Sequence, residues 1–263
     1  MNVRDLTLVL RPRSGWESVD LGCKVAKMHY GRCLQISALF IPLMAAFFFI
    51  PWKGYYAFWL LVIIWWLKPL VSQLCLFFFS RAVFGEQVSF KAILKRLPQA
   101  LFVTSWLQLT VRRLSFARSM HLPIHELEGL KGSAKSKRKA IIERVGGEVT
   151  FLVSLALWVV QLSMAFGLFS VIGMLTSGFM TSNQEDFTWD MLTIMEDDIA
   201  NEIRIGAVMY LLTVLAIEPI QCAIGFCLYL NSRTTQEAWD VELEFRELGK
   251  RASILRPAGG AEK

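Results

Sequence analysis

Two charged residues stand beside prolines inside long apolar runs: Lys68 in Leu67-Lys68-Pro69 and Glu218 in Ile217-Glu218-Pro219. An ionised side chain at the centre of a membrane-crossing helix costs about 2.5–3.5 kcal/mol on insertion scales. Such a residue is normally held against a partner or lines a path for protons, ions or ligands. The two charges share a depth. Tyr55 to Lys68 and Ile205 to Glu218 are each thirteen steps, about 20 Å of helix, which places both within ~10 Å of the far edge of a ~30 Å apolar layer. A direct or water-mediated Lys68–Glu218 pair is therefore expected. The alternatives are a lysine that reaches back to the interface and a carboxyl that is protonated or caps backbone freed by Pro219. Pro69 and Pro219 are expected to act as helix breaks.

Other constellations are weaker. His121 and His125 stand near Glu126 and Glu128, but Pro123 between the histidines opposes the one-face helix that ligation at i, i+4 needs. The acidic stretch from Glu185 to Glu202 lacks the ligand spacing of a calcium loop. There is no Gly-rich phosphate loop, nucleophile elbow or HExxH motif, and no nucleophile–base–orienter set. The expectation is a protein that is not an enzyme and has no catalytic residues, cofactor or metal.

The elements that position Lys68 and Glu218 follow from composition. The chain has 263 residues and is 54% hydrophobic, above the usual globular range, with its apolar residues gathered in blocks. Four blocks approach or exceed the roughly 20 residues a crossing helix needs: about 33–50, 55–79, 149–176 and 205–230. The third is alternatively a shorter span with an interfacial extension. A fifth apolar stretch, 99–110, is too short to cross and reads as interfacial or re-entrant. All Lys and Arg residues except Lys53 and Arg204 fall on one side of this four-span scheme, and none occurs between Val145 and Ile203. Positive residues stay inside. The expected architecture is an all-α integral membrane protein with four transmembrane helices and amphipathic cytoplasmic helices. It is expected in a bacterial inner membrane, multi-pass, with both termini cytoplasmic. No cleavable leader is visible in the sequence, and the five cysteines form no disulfide framework, so reduced cysteines are expected.

Five segments result. Residues 1–32 form a cytoplasmic N-terminal segment, with a helix opened by the capping box Ser14-Gly15-Trp16-Glu17 and Trp16 as interface anchor. Residues 33–79 hold spans one and two, with a kink expected at Pro42. Residues 80–147 are a basic cytoplasmic or interfacial insertion, in which Lys131, Lys135, Lys137, Arg138 and Lys139 either contact anionic lipid headgroups or only set topology. Nucleic acid is not expected as a partner, because no recognition fold accompanies the charge. Residues 148–230 hold spans three and four with an acidic outer loop. Residues 231–263 open on a second capping pattern, Thr234-Thr-Gln-Glu237, and continue as an amphipathic helix that lies on the protein's own inner face or binds a partner.

Beyond Lys68 and Glu218, spans two and four each end in Ser-Arg, at Arg81 and Arg233, followed by Glu86 and Glu237. This suggests a degenerate parallel repeat of two spans. It also suggests a crosswise network of Arg81, Glu86, Arg233, Glu237 and Asp240 at the inner interface.

Four motifs in order, at 10–22, 65–86, 112–130 and 218–248, resemble the membrane-embedded region of a proteobacterial family of uncharacterised inner-membrane proteins. Genes of that family tend to lie near those for AAA-type ATPases. The last motif is also similar, more distantly, to the membrane domain attached to some glycerophosphodiester phosphodiesterases. Tyr229, Arg233, Glu237, Trp239 and Asp240 match that signature, whereas Asn231 and Ala238 depart from it. That domain is not the catalytic part. The resemblance therefore implies membrane placement and a partner rather than a reaction. The functional expectation is a non-catalytic scaffold or accessory subunit docking a protein partner at its cytoplasmic face. The alternative is a transporter or lipid-handling protein using a Lys68/Glu218 polar site.

Overall fold

In the computed structural model, the described residues are 11–50, 53–99, 118–130, 132–177, 189–237 and 245. Among them the chain is all helix: α1 (Gly15–Ala38), α2 (Phe40–Phe48), a 3-10 turn (Gly54–Ala57), α3 (Phe58–Ala82), α4 (Phe90–Gln99), α5 (Arg118–Glu126), α6 (Gly132–Ser177) and α7 (Trp189–Glu237). Among the described residues four helical stretches are long and apolar enough to cross a membrane: α1–α2, α3, α6 and α7. The 99–110 stretch lies almost wholly outside the described residues, as does the C-terminal helix expected after residue 237.

Local chemistry sets the ends of these elements. Ser14 Oγ accepts the Glu17 N–H at 3.2 Å and opens α1, which satisfies one orphan donor of the first turn. Pro42 has no N–H to give to the Ala38 carbonyl, and the helix yields there: α1 stops at Ala38 and α2 starts at Phe40. Gly85 ends the α3 segment at φ 75°. Its N–H bonds Ala82 O and the Glu86 N–H bonds Arg81 O, both at 3.1 Å, a Schellman closure that needs the left-handed residue.

The structure corrects several expectations. Neither Pro69 nor Pro219 breaks its helix, since α3 and α7 run through them without interruption. Each proline deletes one rung of the ladder, and both are buried among neighbouring helices, the setting in which such gaps are tolerated. No helix end marks the boundary expected at residue 148. The basic stretch from Gly132 and the span after it are one 46-residue helix, about 70 Å long. The acidic segment from Trp189 likewise joins span four in one 49-residue helix. The flank of α6 is rich in Ala, Lys and Arg and that of α7 carries Met, Leu and Glu, all good helix formers; α6 continues through Gly146-Gly147, where Gly146 lets Met120 approach closely, and no proline stands at either junction. For the same reason Thr234 starts no new helix. Its Oγ1 donates back to Leu230 O at 3.0 Å inside α7, the usual way a mid-helix threonine is satisfied.

Helix α7 is the hub, packed against α1, α3, α5, α6 and the 3-10 turn. The main core gathers residues of α1, α3, α5 and the second half of α7, such as Cys33, Leu74, Phe79, Ile124, Phe226 and Tyr229, and a smaller cluster joins Met44, Leu60, Ile64, Ala207 and Val214. The packing does not follow a two-fold repeat: α1 lies along α7, whereas its repeat counterpart α6 does not lie along α3. Burial is also uneven. Of the most apolar stretch of each helix, 61% is buried in α3 and 78% in α7, against 6% in α6, so α6 offers most of its apolar surface outward.

The α1–α7 contact is antiparallel and closely registered. Asn231 clamps the backbone just before α1: Oδ1 accepts Arg13 N–H at 2.8 Å and Nδ2 donates to Arg13 O at 2.9 Å. Further along, Gly22 meets Ile224, and Tyr30 OH donates to Ala216 O at 3.2 Å. Asn231→Ala removes both clamp bonds, each worth about 1 kcal/mol. The expected result is faster limited proteolysis ahead of residue 15, with the helical content of the spans unchanged.

Candidate functional site

Lys68 and Glu218 meet. Lys68 Nζ lies 2.9 Å from Glu218 Oε2, and the carboxylate side chain is 2% exposed. The same structure adds three residues that the sequence did not single out. Arg118, at the first turn of α5, places Nη2 2.8 Å from Glu218 Oε1. Ser72, one turn beyond Lys68 on α3, donates its hydroxyl to the same Oε1, and Arg118 Nη2 is 3.3 Å from Ser72 Oγ. Gln161 of α6 accepts from Lys68 Nζ at 2.8 Å. Four elements therefore converge on one carboxylate and its partners: α3 through Lys68 and Ser72, α5 through Arg118, α6 through Gln161 and α7 through Glu218.

The geometry explains why the cluster is stable where a lone charge would not be. Each carboxylate oxygen faces its own cation, and the hydroxyl fills a further lone-pair direction. Removing either charge from water is costly, and only pairing with good hydrogen-bond geometry offsets that cost. The balance is unequal, because two cations face one anion. Lys68 is relieved by the Gln161 carbonyl, and the Arg118 side chain keeps 18% of its surface exposed. Around the cluster lies thiol chemistry held inert by burial: Cys222 donates to the Ser72 carbonyl at 3.3 Å, and Cys33, Cys75, Cys222 and Cys227 are all buried and free.

A second cluster ties α5 to its neighbours. Glu128, just past α5, takes Arg138 of α6 in a fork, Nε to Oε2 at 2.8 Å and Nη2 to Oε1 at 3.0 Å. Tyr229 of α7 donates to Glu128 Oε1 at 2.6 Å. Bidentate pairing of this kind fixes direction as well as distance. The five-residue basic cluster is thereby divided. Arg138 is held by Glu128, Lys139 lies 3.5 Å from Glu143 and Lys135 is buried, while Lys137 is exposed. Lys131 lies outside the described residues. These side chains do not form one uniform face toward headgroups, because the helix turns Lys135 and Arg138 inward.

The inner-interface set is placed only in part. Arg81 and Glu86 pair locally at 3.7 Å, both about half exposed, rather than across the two halves. Arg233 sits beside Tyr229 on the same helix, one turn on. The Glu237 side chain and Asp240 lie outside the described residues.

Pro123 does not prevent a helix at the histidines: α5 forms with Pro123 inside it. Among the described residues there is no group of three or more His, Cys, Asp or Glu placed to hold a metal ion. His121 Nε2 lies 3.0 Å from Glu143 Oε1, yet its pKa is pushed down to about 3 by burial first and by Lys139 and Lys135 next. Glu143 is 40% exposed and shared with Lys139, so its opposing charge is screened. Folded His121 thus stays neutral where the unfolded chain, with a pKa of about 6.5, binds a proton. The sign is a loss of stability as pH falls below about 6.5 toward 3, at up to about 1.4 kcal/mol per pH unit, and no contribution above that window. The melting temperature in detergent is expected to drop across this range, and His121→Gln is expected to flatten the drop.

Fold and site together define a helical protein with four potential membrane-crossing helices, braced by a buried Lys–Glu–Arg cluster. Compared with known proteins, the chain matches no protein-family model, no curated protein and no solved structure.

Proposed function

We propose that this protein is a non-catalytic scaffold or accessory subunit of a bacterial inner membrane, with four spans and both termini in the cytoplasm, docking a partner at its cytoplasmic face. The observation that carries this reading is the closure of Glu218. Its two oxygens are engaged by Lys68, Arg118 and Ser72 from α3 and α5, and 2% of its side chain is exposed. A carboxylate that serves transport must exchange partners during a cycle. This one joins elements that would otherwise separate, which suits a rigid platform. The basic first part of α6 extends the platform past the apolar layer and presents exposed Ile141.

Photo-crosslinking in intact cells tests the reading. A crosslinker at Ile141 is expected to give one discrete protein adduct, and one at Phe166, 72% exposed on the apolar part of α6, to give lipid adducts only. No protein adduct at Ile141, together with ion flux in proteoliposomes that depends on Glu218, would favour the transport alternative.

Orientation is checked by thiol labelling. Cys23 is exposed and the other four cysteines are buried, so a maleimide is expected to modify Cys23 alone. An impermeant maleimide should leave Cys23 unmodified in intact spheroplasts and modify it once the membrane is opened. Labelling of Cys23 from outside contradicts the cytoplasmic assignment of the N-terminus.

A further inference from the structure

A cavity separate from the charged brace opens between α1 and the α3–α4 connection. It encloses about 520 Å³ and is lined by His29, Arg32, Phe78, Glu86, Gln87 and Ser89 among others, within the size range of ligand pockets, about 300–1,000 Å³. Its position is informative. Arg32 directly precedes the apolar run that starts at Cys33, and Phe78 lies near the end of the apolar part of α3. The cavity therefore sits where apolar helix gives way to polar chain, at headgroup depth for a protein that spans a membrane.

Its lining carries both charges and unused hydrogen-bonding capacity. Arg32 is exposed and has no ion-pair partner among the described residues. The His29 and Phe78 rings meet edge to face, with centroids 5.5 Å apart. Ser89 stands at the start of α4, whose first N–H groups and helix dipole favour an anion. Glu86 supplies the opposite charge, held only loosely by Arg81 at 3.7 Å. Phe78 gives the cavity an apolar wall.

We propose that this cavity binds the headgroup of an aminophospholipid, with phosphate at Arg32 and the start of α4, and the primary ammonium at Glu86. A phosphate alone leaves Glu86 facing an anion. A quaternary ammonium cannot donate hydrogen bonds to the carboxylate. A headgroup carrying both phosphate and primary amine satisfies every group named. The proposal rests on α1 and α3 lying in a membrane, and is independent of whether a protein partner docks elsewhere.

The test uses the full-length protein, purified in detergent and stripped of lipid, with its melting temperature followed as lipid is titrated in. Phosphatidylethanolamine is expected to raise the midpoint at lower concentration than phosphatidylcholine or phosphatidylglycerol. Arg32→Gln is expected to shift its half-saturation at least tenfold, and Glu86→Gln to erase the preference over phosphatidylglycerol. Both side chains are exposed, and unchanged helical content confirms that the variants fold. Equal responses to the three lipids, or an Arg32→Gln titration that overlays the unmodified protein, overturn the proposal. Soluble O-phosphoethanolamine acting at the same concentration as the lipid also overturns it, since the ligand would then be a free phosphate ester.

Discussion

Glu218→Leu is expected to destabilise the protein by about 3 kcal/mol or more, and to lower its level in membranes several-fold. The substitution leaves Lys68 and Arg118 facing each other with no anion between them, at 11% and 18% side-chain exposure. Breaking a buried pair by removing one partner costs about 3–5 kcal/mol, because the remaining charge stays desolvated. An unpaired Lys or Arg deep in a bilayer costs a similar amount. The damage should be unequal between partners. Lys68→Met leaves Glu218 paired with Arg118 through Oε1 but strips both Oε2 and the Gln161 carbonyl of their partner, so it is expected to cost less, about 1–2 kcal/mol for the polar groups left unmatched. A simple tally of buried charges would rank the two substitutions alike. The excess of cations over anions in the cluster ranks Glu218→Leu far above Lys68→Met. Thermal unfolding in detergent and membrane levels of the two variants measure this directly.

The second large effect is expected at two glycines of the α7 contact surface. A Cβ on Gly22 would stand 2.5 Å from the Ile224 Cα and 3.0 Å from the Ile224 N. On Gly225 it would stand 2.5 Å from the carbonyl carbon of Ser119 and 2.7 Å from its oxygen. In both cases the obstacle is backbone, which cannot rotate away. Leucine at either position must push a helix off α7: α1 for Gly22, α5 for Gly225. Overpacking of this kind costs about 1–3 kcal/mol even where side chains can adjust, and at Gly225 it also draws Arg118 away from Glu218. Gly22→Leu and Gly225→Leu are expected to lose the monodisperse peak on size exclusion. Gly167→Ala is the control. Nothing lies within 4 Å of a Cβ there, so the gain of helix propensity, about 1 kcal/mol, should show as a small rise in melting temperature.

Much of this was legible from the sequence, for physical reasons that differ by residue. The apolar runs announce the crossing helices because a bilayer demands length and hydrophobicity together. Ser14 announces the start of α1 because an N-cap is a local device. The equal depths of Lys68 and Glu218 are visible because rise per residue is constant in a helix. Ser72, four residues after Lys68, lies on the same helical face and was open to the same reasoning. So was the spacing Ser18, Gly22, Ala26 in α1, small residues every fourth position where two helices come close.

Arg118 was not legible. It stands in a basic stretch whose charges all fit a topological role, and its partner is far away in sequence. The same holds for Glu128 and Asn231, whose bonds reach Tyr229 and Arg13 across the fold. Helix breaks were overestimated at Pro69 and Pro219, because a proline that lacks one rung is tolerated when packed on all sides. The continuity of α6 and α7 with their polar flanks is not visible in the sequence, since amphipathic and apolar stretches of one helix look like separate elements when hydropathy alone divides them.

The central claim is that Glu218 is a structural brace between α3, α5 and α7. It is tested most directly by the Lys68→Met, Arg118→Met and Glu218→Leu triple variant, compared with Glu218→Leu alone in thermal unfolding. If the brace is the reason for the charges, removing all three leaves no buried ion unpaired, and an apolar replacement of a buried ionic cluster is close to neutral. The account predicts that the triple variant recovers at least about 2 kcal/mol of the stability lost in Glu218→Leu. Additive losses, with the triple variant less stable than Glu218→Leu, would contradict it.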